Sequence, residues 1–149
     1  MDQPKVLATI VCYEGEKWIQ ECIESINQNN YDNLEILIID NASKDKTTSI
    51  IETHFENIIL FKLPSNVGFG RAANIGIRYA INHEYDYLFL LNQDLKLRPD
   101  CIINLVQTCQ THSNVFIASP LQMTYDGSQI DPAFGKLFKI GRASCRERV

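Results

Sequence analysis

No apolar run in the 149-residue sequence approaches the ~20 residues that span a bilayer as a helix. The opening stretch, MDQPKVLATIVCYEG, lacks the basic start and the small-residue cleavage site of a signal peptide, so the expected location is the cytoplasm. The cysteines make no C-x-x-C pair, and His54, His83 and His112 are scattered without a metal-ligand pattern. In a cytosolic setting Cys12, Cys22, Cys101 and Cys109 are expected to be reduced and mostly buried thiols. Glycine is scarce where dinucleotide enzymes need it most. The turn after the first apolar run reads CYEGEKW, with Gly15 alone, so G-x-G-x-x-G is absent there. No G-x-x-x-x-G-K-[ST] occurs either, which removes the P-loop nucleotidases. Positive charge is in deficit, with a formal net charge of −4, and leaves no electrostatic footprint for nucleic acid.

What is present is ordinary for a globular chain: 45% apolar and 21% charged residues. A chain of this length forms one domain and buries very roughly two-thirds of its unfolded surface. Residues 140–149, IGRASCRERV, fit neither a helix nor a strand of the pattern before them. They match what one reading frame of a widely used short-read sequencing adapter encodes and are read as a non-native tail, with a natural basic tail as the alternative. Without Arg142, Arg146, Arg148 and Glu147 the formal charge moves from −4 to −6, and Cys145 carries no meaning. Residues 1–139 are then a single domain, expected to be incomplete at its C-terminal end.

Within those residues two periods alternate. VLATIVC (6–12) is a β-branched apolar run, followed by Ile19, Cys22, Ile23 and Ile26 at helical spacing. LEILIID (34–40) predicts a second strand, with Ser43 placed to cap a helix through about Phe55 and Asp45 near its positive end. NIILFKL (57–63) predicts a third strand, FGRAANIGIRYAI (69–81) a helix, and YLFLL (87–91) a fourth strand whose leucines should be buried. Pro99 suits the start of a helix through about His112, and VFIAS (115–119) predicts a fifth strand. Asp126-Gly127, between Met123, Tyr125 and Ile130, signals a hairpin. The alternation predicts an α/β fold with a mostly parallel sheet, and continuous apolar strands predict helices on both faces.

Ligands in such sheets bind outside the carboxyl ends of the strands, near the point where strand order reverses. Those ends carry Cys12, Tyr13 and Glu14, then Asp40 and Asn41, then Asn66, then Asn92, Gln93 and Asp94. Asp40 could imitate a ribose-binding acid, but the glycines that should accompany it are missing. The late glycines, in NVGFGRAANIG (66–76), offer a helix start beside Arg71 as an anion site. Close helix–sheet packing by Gly70, Ala72, Ala73 and Gly76 is the other reading of the small residues. Without a glycine cradle, a diphosphate needs another way to neutralise its charge. A divalent ion held by one carboxylate and by phosphate oxygens would serve, and Asp94, abruptly ending an apolar run, stands where it is needed. Capping a turn before the Pro99 helix is the alternative role.

Four stretches, TIVCYEGEKWIQECIESI, IIDNASKDKT, NVGFGRAANIGI and LFLLNQDLKLRPD, together resemble the N-terminal half of a family-2 glycosyltransferase with the Rossmann-like GT-A fold. They cover nearly all of residues 5–105 in the family's order. NQD preceded by GFGRAANIG most resembles the rhamnosyltransferase-like branch. The resemblance implies transfer of a sugar from a nucleoside-diphosphate donor, of the UDP or dTDP type, to a glycan or lipid-linked acceptor in cell-surface glycan synthesis, usually with inversion. It implies a nucleotide site of Cys12, Tyr13, Glu14, Asp40, Asn41, Gly68, Arg71, Asn74, Asn92 and Gln93, with Tyr13 stacking near the base and Asp40 accepting from a pyrimidine N–H. It implies Mg²⁺ or Mn²⁺ on Asp94, stabilising the departing diphosphate. A cytoplasmic enzyme of this kind, without a transmembrane segment, could still associate with the inner face of the cell membrane.

Three residues depart from the family's usual pattern. Cys12 stands where Thr is common, Glu14 where Asn is common, and Gln93 where Pro or Asp is common. The last leaves one carboxylate rather than two for the metal. No catalytic base is assigned: Asp126 is better explained by its turn, Asp131 reads as a loop residue, and the family's base lies beyond the donor half. A nucleotide-sugar-binding module without turnover is the second reading of this stretch. A NAD-linked oxidoreductase is the third, disfavoured by the missing glycines.

Overall fold

The computed structural model describes residues 3–124 and 126–132. Strands and helices alternate as β1 (Val6–Cys12), α1 (Ile19–Asn27), β2 (Leu34–Asp40), α2 (Thr47–His54), β3 (Ile58–Lys62), α3 (Phe69–Asn82), β4 (Tyr87–Asn92) and α4 (Cys101–Thr111). All four strands run parallel in the order β3-β2-β1-β4. This is the α/β architecture the apolar periodicity predicts.

Side chains alternate across the central strands and feed two cores. Ala8, Ile10, Cys12, Ile36 and Ile38 pack with Ile19, Cys22, Ile23 and Ile26 of α1 and Ile51 of α2. Leu7, Val11, Leu37 and Ile39 point the other way, onto Ala72, Ala73 and Ala80 of α3. Helices therefore cover both faces, and β1 is buried along its whole length. Burying each such aliphatic side chain stabilises the fold by about 1.5–3 kcal/mol. A third cluster, Val6, Tyr31, Ile102 and Val106, seats α4 at the lower end of the sheet.

The path reverses once. β1, β2 and β3 step outward with α1 and α2 on one face; the chain then returns through α3 on the opposite face to place β4 on the other side of β1. The switch point lies between β1 and β4. Small residues let α3 approach: a Cβ on Gly76 would lie 2.4 Å from Thr9 Cγ2. Packing thus accounts for Ala72, Ala73 and Gly76, whereas Gly70 is exposed and a Cβ there meets nothing within 4 Å.

Several expectations need correction. Residues 115–119 form no strand; no ladder partner among the described residues reaches them, and Phe116 and Ile117 are about nine-tenths exposed, at 91% and 90%. Apolar, β-branched composition is not enough without a neighbouring strand to pair with. β4 is an edge strand, so of its leucine run Leu91 is buried while Leu90 is exposed. Ser43 does not cap α2. The helix starts at Thr47, whose N–H donates to Asp45 Oδ1 at 3.0 Å, and the Ser43 hydroxyl is used elsewhere. Of the expected buried thiols, Cys12 and Cys22 are buried, while Cys101 and Cys109 are half-buried; all four are free. The Asp126-Gly127 turn closes a single antiparallel bridge between Met123 and Ile130, with Gly127 at φ +70°. Asp126 accepts from the Thr124 hydroxyl and from the Ser128 N–H and hydroxyl, which hold its carboxyl down at about 2. The expected tail, residues 140–149, lies outside the described residues. No helix among the described residues is long and apolar enough to cross a membrane.

Candidate nucleotide and metal site

A cleft of about 310 Å³ opens at the carboxyl ends of β1, β2 and β4, over the switch point. Val11, Cys12 and Tyr13 form one wall, Asn92, Gln93 and Asp94 another, and Asn41, Asn66 and Phe69 close the side toward α3. Tyr13 and Phe69, both in its lining, are 43% and 49% exposed, so two aromatic side chains are partly open to solvent there.

The turn after β1 is held by side chains. The Tyr13 N–H donates to Gln93 Oε1 at 2.9 Å, Glu14 N–H to the Ser43 hydroxyl at 2.9 Å, Gly15 N–H to the Thr47 hydroxyl at 2.7 Å, and Glu16 N–H to Asp45 Oδ2 at 3.0 Å. The latch is reciprocal, because Lys46 N–H donates to Glu16 Oε2 at 3.0 Å. Four successive N–H groups are thus consumed by the protein itself. A Rossmann phosphate turn works by leaving such donors free for the pyrophosphate. This turn cannot do so, which disfavours the dinucleotide reading on geometry as well as on glycine count. The rigid loop that results pins Tyr13 at the cleft; Glu14, at φ +49°, bends the chain into the latch.

Asp40 and Asn41, both 3% exposed, end β2. Asp40 receives the Ser43 N–H at 3.3 and 3.2 Å and the Cys12 thiol at 3.6 Å. Burial, the adjacent Asp40 charge and this hydrogen bond push the Cys12 thiol far up, so it stays a protonated donor. Asp40 is therefore a loop anchor first, with lone pairs to spare, since a carboxylate offers about four acceptor sites. Asn41 donates to Asn66 Oδ1 at 3.0 Å and accepts the Val67 N–H at 2.9 Å, while Asn66 Oδ1 also accepts the Gly68 N–H at 2.9 Å. The pair fixes the turn into α3, where Gly68 at φ +83° supplies the left-handed backbone. With its oxygen doubly used, Asn66 leaves its amide donors for the cleft.

Asp94 is exposed in the cleft wall, and its carboxylate has no hydrogen-bond or ion-pair partner among the described residues. The turn-cap role is accordingly unfilled. Asn92 lines the same wall, and its carbonyl accepts the Cys22 thiol at 3.6 Å. Arg71 stands exposed in the first turn of α3, likewise without a partner among the described residues, next to helix N–H groups that have no intrahelical acceptor. Among the described residues no three His, Cys, Asp or Glu side chains converge as a ready-made cage. One free carboxylate fits a divalent ion that completes its shell with waters and donor oxygens, as Mg²⁺ commonly does.

Of the residues singled out from the sequence, Cys12, Tyr13, Asn41, Asn92, Gln93 and Asp94 line the cleft. Asp40, Glu14, Gly68, Arg71 and Asn74 lie outside its lining; of these Asp40 is buried and the other four are exposed. The nucleotide site expected from the sequence omits Asn66 and Phe69, although both sit in the quoted NVGFG stretch. An Asn two residues before a Gly, at the start of a predicted helix, was the available signal.

Similarity to known proteins identifies the family and the fold. The family model described as glycosyl transferase family 2 matches residues 8–142. Putative glycosyltransferase EpsH of Bacillus subtilis (strain 168) is 26% identical over 121 residues, 80% of this chain and 34% of that protein. The dTDP-rhamnosyl transferase RfbF of Shigella flexneri is 28% identical over 150 residues, 97% of this chain and 46% of that protein. Among solved structures, S. aureus TarS 1-349 in complex with UDP-GlcNAc superposes with a TM-score of 0.66 at 19% identity, over 80% of this chain and 38% of that one. The mannosyltransferase PcManGT from Pyrobaculum calidifontis, in complex with GDP-Man and Mn²⁺, gives 0.65 at 25% identity, over 72% and 33%. The chain spans about a third to a half of the length of these curated relatives.

Proposed function

Because the chain belongs to glycosyl transferase family 2 and has the GT-A fold, we propose that residues 1–139 form the donor-binding part of a metal-assisted glycosyltransferase. The donor is a nucleoside-diphosphate sugar of the UDP or dTDP type, and the acceptor a hydroxyl of a cell-surface glycan or its lipid-linked precursor. The site of action is the cytoplasm, at the inner face of the membrane when the acceptor is lipid-linked. The observation that carries the reading is the partnerless Asp94 carboxylate at the end of an apolar strand, in the cleft that also holds Tyr13. RfbF, a relative over nearly the whole chain, supports dTDP-rhamnose as a donor to test first.

The chain's own residues divide the work. Tyr13 offers its ring to the nucleobase, and Asp40, anchored by Ser43, accepts a pyrimidine N–H. Asn66 donates an amide proton to a base carbonyl. Arg71 and the first N–H groups of α3 face the developing negative charge of the diphosphate. Asp94, with Asn92 alongside, would hold Mg²⁺ or Mn²⁺, which supplies Lewis-acid stabilisation to the leaving group. Asp94 is the one carboxylate that lines the cleft, so no general base is assigned within the described residues.

Base choice tests the reading. A hydrogen bond to a charged acceptor contributes about 1.5–3 kcal/mol, which predicts at least roughly tenfold tighter binding of UDP or dTDP than of ADP. Calorimetry with the three nucleotides decides; equal affinities would leave Asp40 only its structural task.

A further inference from the structure

Gln93 stands one residue before Asp94, yet both ends of its amide are turned onto the main chain of Tyr13. Oε1 accepts the Tyr13 N–H at 2.9 Å, and Nε2 donates to the Tyr13 carbonyl at 3.1 Å. These partners fix the amide's orientation, since an N–H can face only the oxygen and a carbonyl only the nitrogen. The two residues are 80 positions apart and lie on either side of the switch point. The β1–β4 ladder ends with Val11 opposite Asn92. Gln93 continues it with a side chain where the main chain turns away.

Gly15 makes room for this. A Cβ there would lie 2.5 Å from Gln93 Oε1 and 2.9 Å from its Cδ. Gly15 is buried and its φ is not in the left-handed region, so space rather than backbone conformation requires glycine. The atom in the way is the far end of a flexible side chain. Gly15→Ala should therefore fold and push the amide off Tyr13.

We propose that Gln93 is a positioning residue: its amide clamps the Tyr13 backbone and holds that ring in place as one side of the nucleoside pocket. The clamp stands on geometry alone; its effect on binding rests on the donor-site reading. The competing role is direct ligation of metal or phosphate by Gln93, which has donor and acceptor capacity left over.

Two variants of the full 149-residue chain, Gln93→Met and Gly15→Ala, separate the roles. The first keeps length and volume but carries neither prong; the second leaves Gln93 intact and evicts its amide. Amide hydrogen exchange at Tyr13, followed by NMR, should quicken about tenfold or more in both, while amides of central β1 keep wild-type protection. Calorimetry should show uridine, which lacks phosphate and needs no metal, binding about three- to tenfold more weakly in both variants, with Mn²⁺–pyrophosphate unchanged. Wild-type exchange at Tyr13 in Gln93→Met overturns the clamp. Loss of Mn²⁺–pyrophosphate binding with uridine retained overturns the positioning role in favour of direct ligation. Protection lost throughout β1 would mean a merely structural part and also overturns it. If wild-type protein binds neither uridine nor UDP, the donor-site reading fails, and exchange at Tyr13 still decides the clamp.

Discussion

The residues that end β1, β2 and β4 show what a sequence can and cannot declare about itself. The place of Asp94 in the cleft wall was legible because a carboxylate ending an apolar run demands a reason. Asp40 was half legible: its position is visible, but its bonds to Ser43 and Cys12 depend on how the chain turns back. Gln93 looked like a mere departure from the family's usual residue, because its partner is 80 positions away. The thiols carry a testable consequence at this scale. Burial pushes the Cys22 thiol from its ordinary value of 9 up to about 12. Below pH 9 the thiol is protonated folded or unfolded and costs nothing. Between 9 and 12 the unfolded chain loses the proton while the folded one keeps it, so stability falls as pH rises through that window. Chemical denaturation at about pH 8 and about pH 10.5 should show this fall, shallower in Cys22→Ala by up to about 1.4 kcal/mol per pH unit. Identical slopes would place Cys22 in a wetter environment.

Elements were legible wherever the apolar period was long and a partner existed. The four strands and four helices satisfy both conditions. Residues 115–119 satisfy the first alone, and the helix after β2 begins late because Ser43 serves Glu14 instead of a helix end. The close contact between α3 and β1 contains a flaw. Thr9 Oγ1 is buried with no hydrogen-bond partner among the described residues. Such a hydroxyl costs about 1–3 kcal/mol, so Thr9→Val should raise the melting temperature by a few degrees, roughly 2–4 °C per kcal/mol at this size. A lower melting temperature would mean that the hydroxyl has a partner, such as a water. Gly76→Ala should cost about 1–3 kcal/mol through its clash with Thr9 Cγ2, and Thr9→Ser should relieve much of it. Additive losses in the double variant would show that the two positions do not touch.

At the scale of the molecule, several apolar side chains are exposed among the described residues. Leu90 on the edge strand, Ile77 and Ile81 on α3, and Phe116 and Ile117 after α4 are all exposed. Apolar exposure on this scale favours association, so sedimentation should show species larger than a monomer growing with concentration, and a sharp monomer at every concentration would contradict this. The fold class was readable from alternation, because βαβ order leaves few topologies. The cleft's general place was readable from the switch-point rule, and its exact walls were not, since they depend on which side chains the loops consume. The central claim is that this cleft binds a nucleoside diphosphate with help from a divalent ion on Asp94. Calorimetry of UDP with and without Mn²⁺, on wild-type chain and Asp94→Asn, tests it most directly. The account predicts that Mn²⁺ tightens UDP binding in wild type, that the tightening disappears in Asp94→Asn, and that both proteins melt at closely similar temperatures. The same Mn²⁺ dependence in both proteins would contradict it.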